Sequence, residues 1–161
     1  MHSLKIEITK TEHSNFGKQS GDFNPIHYDD RLGSTLGCDG RVIFGGLLIK
    51  KIFNAFNFQK NNYEIVKFDM RFNLGASLSS EVNLSFEDDE LGSISIELGQ
   101  FGRIIAKGEC TYKIVEKLKK NYIDNLIKDL CICSENVASW HGYDSGCAVI
   151  GRWSIYSSKY N

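Results

Sequence analysis

The stretch GGLLIKKIFNAFNF, residues 45–58, is apolar over more of a helical circumference than a surface helix carries. Leu48, Ile52, Ala55 and Phe56 recur at helical spacing, and Leu47, Ile49 and Phe53 widen the face. A helix with so broad an apolar face has to be largely buried. The chain after Asn62 changes period: Phe68, Met70 and Phe72 alternate with Lys67, Asp69 and Arg71, and Val82, Leu84 and Phe86 with Glu81, Asn83 and Ser85. Alternation of this kind predicts strands over 64–73, 81–87, 93–99 and 103–115. The intervening breaks are short enough for hairpins, which predicts a four-stranded antiparallel meander. Ahead of the buried helix, residues 4–8 alternate as a half-buried strand. Thr11 and Glu12 read as a helix start, Gly21 as its stop, and 31–41, with Gly33, Gly37 and Gly40, as a loop.

The fold class these elements define is α+β, and 161 residues suffice for one domain with a real core. Residues 117–131 carry Leu118, Tyr122, Leu126 and Leu130 as a second amphipathic helix. Beyond it, 148–150 and the alternation at Trp153 and Ile155 supply one or two strands. Lys+Arg 19 against Asp+Glu 20 leaves a net charge of −1. No bulk attraction to nucleic acid or to an anionic membrane follows from that balance. No apolar run approaches the roughly 18 residues of a membrane span, and the N-terminus lacks a signal-peptide core, so the chain is expected to be cytoplasmic. Five cysteines (Cys38, Cys110, Cys131, Cys133 and Cys147) without CxxC spacing argue against a disulfide framework or a zinc site.

One proline occurs in the whole chain, Pro25, inside QSGDFNPIHYDD. Proline fixes its own φ and keeps Asn24 out of the helical region, so the segment is a rigid corner. Two readings of that corner stand side by side. Asp22 and Asn24 are ordinary turn residues that bond nearby amides; Asp22 and His27, held rigidly, are also a carboxylate and an imidazole placed for acid–base work on one substrate. Gly45 and Gly46 have two readings as well: amides left open to an oxyanion at the positive end of a helix, or close packing of the helix start against a sheet. The neighbouring carboxylates Asp29 and Asp30 read as solvated rather than metal-binding, His13 and His141 as surface histidines. Ser20 reads as a brace of the corner rather than a nucleophile.

The run Ser20, Gly21, Asp22, Phe23, Asn24, Pro25, Ile26, His27 resembles the hydratase-2 motif of the MaoC-like, or R-specific, enoyl-CoA hydratases. Val42, Ile43, Phe44, Gly45 and Gly46 resemble the short hydrophobic stretch that opens the buried helix of that family, in matching register. Phe44 stands where such proteins often carry histidine or tyrosine, and Phe53 where some carry a small polar residue. The resemblance covers roughly residues 4 to 115.

The resemblance implies a hot-dog fold, an antiparallel sheet around one central helix, over residues 1–117. Residues 118–161 would then be a C-terminal extension or the opening of a second hot-dog half. It implies the interconversion of trans-2-enoyl and (3R)-3-hydroxyacyl thioesters of coenzyme A or acyl carrier protein, without a cofactor or a metal. Asp22 and His27 would share the reacting water, the amides of Gly45 and Gly46 would take the thioester oxygen, and Ser20, Gly21, Asn24 and Pro25 would be scaffold. Arg31, Arg41 and Lys50 are the basic residues near enough in sequence to meet a carrier. Exposed sheet edges lead to the expectation of a homodimer or higher homo-oligomer. Two alternatives share the fold: a catalytically silent module that binds an acyl chain or another subunit, and a thioesterase that directs water at the thioester carbon.

Overall fold

The computed structural model describes residues 2–89, 91–137 and 151–156. Six strands, β1 (His2–Ile6), β2 (Tyr63–Phe72), β3 (Val82–Asp88), β4 (Ser93–Gln100), β5 (Arg103–Ile114) and β6 (Gly151–Tyr156), form one sheet in the order β1-β3-β4-β5-β2-β6. Every pairing is antiparallel. The expected meander is therefore three strands long. β3, β4 and β5 follow one another, whereas β2 pairs with β5 and not with its sequence neighbour β3. The segment between β2 and β3 is what permits this: Ile43 N donates to Ala76 O at 2.8 Å and Leu78 N to Arg41 O at 2.9 Å, so it is tied to the segment before the central helix and not closed as a hairpin.

That helix, α3 (Gly45–Ala55), is the buried one, and a four-residue helix, α4 (Phe58–Asn61), follows it. Ile49, Ile52 and Phe53 have no exposed surface and share one core with Phe68, Met70, Val82, Leu84, Leu98 and Cys110 of the strands. Phe53 meets Phe68 edge-on at 5.0 Å and Phe58 at 5.4 Å, filling the space between helix and sheet with ring. In β2 the register shifts between Ile65 and Lys67, a bulge that puts Ile65 on the buried face together with Phe68, Met70 and Phe72.

Helix α1 (Lys10–Ser20) starts one residue earlier than expected because Thr9 caps it. Glu12 N donates to Thr9 Oγ1 at 3.1 Å while Thr9 N donates to Glu12 Oε2 at 3.0 Å, a capping box. Strand β1 ends at Ile6, and only Ile6 of its apolar residues is buried, as suits an edge strand. The glycine-rich stretch after the proline corner contains a short helix, α2 (Asp30–Thr35), where a loop is expected. Gly33 misleads here. A Cβ on it would stand 1.8 Å from the carbonyl oxygen of Gly40, so this glycine serves close approach and does not break the helix.

Helix α5 (Tyr122–Val137) begins later than expected; Leu118 is buried but precedes it. Ile123, Leu126 and Ile127 join the same core as α3. Ile65 N donates to the Tyr122 hydroxyl at 2.9 Å, and Lys50 on α3 pairs with Asp124 at 2.7 Å. Strand β6 then runs along β2 from Phe72↔Gly151 to Lys67↔Tyr156, closing that edge of the sheet with the chain's own backbone. The expected strand residues 148–150 lie outside the described residues. Cys38 and Cys110 are free and buried. Among the described residues no helix is long and apolar enough to cross a membrane.

Candidate active site

The corner between α1 and the next turn is built from the motif residues themselves. Gly21, at φ 71°, ends α1 in the left-handed region, and its amide donates to Gly17 O at 3.2 Å. Ser20 Oγ donates to Gly17 O and accepts from Asp22 N, both at 3.3 Å, so the hydroxyl braces the corner. Asp22 Oδ1 accepts from Asn24 N at 3.0 Å and Asn24 Oδ1 from Ile26 N at 3.2 Å, two successive side-chain turns. Asn24 is extended, and Pro25 opens a single turn of 3-10 helix, Pro25–His27, that ends on the histidine. The Tyr28 hydroxyl donates to Asp22 O at 2.9 Å. It reaches there across Gly17, where a Cβ would meet it at 2.3 Å.

The two carboxylate oxygens of Asp22 are used differently. Oδ1 holds the turn, while Oδ2 lies 3.5 Å from His27 Nε2. His27 is buried, with its Nδ1 2.8 Å from the carbonyl oxygen of Val42. A carbonyl only accepts, so Nδ1 carries the proton; in the neutral ring Nε2 is then the free acceptor, turned toward the carboxylate. Burial pushes the His27 pKa below the ordinary histidine range, against the opposite pulls of the Val42 carbonyl and the Asp22 charge. The Phe44 ring stacks on His27 at a centroid distance of 4.0 Å and so fixes the plane of the imidazole.

His13 is no surface histidine. It is 2 % exposed, its Nε2 lies 3.1 Å from the same Val42 oxygen, and its ring meets Phe44 at 4.5 Å. Burial holds its pKa down too, with a further push from His27. One carbonyl thus orients two imidazoles, each taking one of its lone pairs. The spacing of His13 and Phe16, one turn apart on α1 and both buried, is the signal that could have found it.

The segment that carries Val42 leads directly into α3. Phe44 provides no side-chain cap, Leu47 N and Leu48 N both donate to Phe44 O, and the amides of Gly45 and Gly46 precede the first carbonyls a helix can offer them. Gly45 is packed closely, as one reading of it holds, but against a partner the sequence did not suggest. Atoms of the Trp153 indole lie 3.3–3.4 Å from where its Cβ would stand.

Over about seven-tenths of the chain the backbone matches solved structures. It superposes on an (R)-hydratase from A. caviae involved in PHA biosynthesis with a TM-score of 0.56 at 20 % identity, over 71 % of this chain and 93 % of that one. The corresponding figures are 0.57, 13 %, 71 % and 94 % for the ChsH1-ChsH2 complex from Mycobacterium tuberculosis. For a MaoC-like dehydratase from Phytophthora capsici they are 0.55, 15 %, 71 % and 42 %. The fold is a hot dog. No protein-family model and no curated protein matches the sequence. In this hot dog the motif corner and the start of the central helix lie side by side, joined through Val42 and Phe44.

Beside the corner, Lys10, Arg31 and Arg41 line a surface cavity of about 410 Å³ with Asp30, Ser34, Asp39 and Ser79. Arg41 pairs with Asp30 at 3.1 Å and Arg31 with Asp29 at 3.6 Å. Lys50 is elsewhere, on the pair with Asp124. Among the described residues no group of three or more His, Cys, Asp and Glu is placed to hold a metal ion. His141 lies outside the described residues.

Proposed function

We propose that this hot dog adds water to trans-2-enoyl thioesters, or removes it from (3R)-3-hydroxyacyl thioesters, carried on coenzyme A or acyl carrier protein. The observation that carries the reading is the pairing of a half-exposed carboxylate oxygen with an unprotonated, buried Nε2 at 3.5 Å. That separation is long for a direct hydrogen bond, and it leaves both acceptors facing one water. Neutral water is a poor nucleophile; held by Asp22 Oδ2 and His27 Nε2, it presents a lone pair to C3. Its hydroxyl bonds to C3, and the proton it loses is delivered to C2 through the pair. Which of the two groups hands it over is a property of the coupled pair rather than of either residue.

During attack, negative charge grows on the thioester oxygen. The amides of Gly45 and Gly46, at the positive end of α3, are the donors proposed for it. Ser20, Gly21, Asn24 and Pro25 act as scaffold by the bonds described above. Arg31 and Arg41, with Lys10 beside them, are the proposed contact for the carrier's anionic groups. The experiment is loss of enoyl absorbance across crotonyl to dodecenoyl thioesters on both carriers. Turnover with the (3R) product supports the reading. Binding without turnover assigns the chain to the silent acyl-binding module, and release of free thiol assigns it to the thioesterase.

A further inference from the structure

Trp153 is carried into the candidate site by a strand that is remote from it in sequence. It faces Met70 across the β6–β2 ladder and packs half-buried against the central core. Its Cζ2, Cε2 and Nε1 atoms lie 3.3, 3.4 and 3.4 Å from where a Cβ on Gly45 would stand. The indole edge therefore lies over the first residue of α3, and even a methyl group at position 45 would press on it. A thioester oxygen bound by the Gly45 and Gly46 amides would sit roughly 2.7–3.1 Å from those nitrogens. The indole thus flanks the residue whose amide is proposed to take that oxygen, which makes Trp153 a side chain that the thioester and the first acyl carbons would meet at the helix start.

We propose that Trp153 is a specificity-determining wall of the site, confining the acyl group at the start of α3 to slim, short, unbranched chains. The proposal rests on the hydratase reading above and adds a residue from the C-terminal strand to it. Wild type should favour crotonyl over 2-methylcrotonyl and dodecenoyl thioesters. Trp153→Ala should raise the ratio of kcat/KM for either bulky substrate to that for crotonyl by about tenfold or more, the scale on which an apolar pocket discriminates, with Trp153→Phe in between. An unchanged ratio in a folded Trp153→Ala protein overturns the proposal.

A second measurement does not need that variant to fold. The chain has two tryptophans, so Trp140→Phe leaves Trp153 as the sole emitter. Butyryl-coenzyme A, saturated and therefore not hydratable, should change its emission with the Kd that calorimetry reports. Calorimetric binding without any emission change also overturns the proposal. If wild type hydrates no enoyl thioester while butyryl-coenzyme A binds and shifts the emission, the hydratase reading falls and the Trp153 contact stands. No calorimetric binding of any acyl thioester overturns both.

Discussion

Replacing Asp22 by asparagine separates the two jobs of that side chain. Asparagine keeps Oδ1, so the bond from Asn24 N at 3.0 Å and the turn it closes persist. The other oxygen becomes an NH2 group that lies 3.5 Å from His27 Nε2 and donates toward it, occupying the lone pair proposed to hold water. Loss of a general acid–base group lowers turnover by about two to four orders of magnitude, which is about 2.7–5.4 kcal/mol of transition-state stabilisation. Folding stability should be almost unchanged, because the carboxylate is half-exposed and the turn bond survives. Asp22→Ala removes that bond as well and should cost about 0.5–1.5 kcal/mol of stability in addition. The assay is enoyl-thioester hydration with urea denaturation on the same preparations. If Asp22→Asn keeps more than roughly a tenth of wild-type turnover, the acid–base reading of the corner is refuted.

His27→Ala should lower turnover by a similar factor of about 10² or more, and the double variant with Asp22→Asn should be hardly worse than the worse single, because both act on one water; additive losses in single-turnover kinetics would argue against a shared water. His13 and His27 are both buried with pKa values pushed below the ordinary 6.5, so below that pH the unfolded chain takes up protons that the folded one refuses. Stability should therefore fall as the pH drops through 6.5, by up to about 1.4 kcal/mol per pH unit for each histidine, read as a lower urea midpoint at about pH 5 than at about pH 7.5. Turnover that needs neutral His27 should hold its plateau to lower pH than an ordinary histidine would allow, and a fall beginning above that range would contradict the burial argument. Ending the chain after Val115 removes Ile123, Leu126 and Ile127 from the core, each contributing about 1.5–3 kcal/mol, and uncovers the β2 edge. An unchanged urea midpoint and oligomeric state would show that this segment has no structural role.

The parts of the fold that the sequence determined are those in which one residue's neighbours along the chain decide its state. The apolar circumference of α3 could only be buried, the alternation around Phe68 and Leu84 could only be strand, and Pro25 could only be a corner. The candidate pair was legible for the same reason: Asp22 and His27 are five residues apart on a segment whose turns are made by its own side chains. Tertiary structure decided whatever depends on residues far apart. The pairing of β2 with β5 rather than β3, the helix hidden under Gly33, the burial of His13 on the Val42 carbonyl and the seating of Trp153 over Gly45 each join segments whose local patterns do not mention one another. Glycine shows the limit most directly. In sequence Gly33 and Gly45 are equally free to break a helix or to admit a neighbour, and only the carbonyl of Gly40 and the indole of Trp153, brought there by packing, show that each admits one.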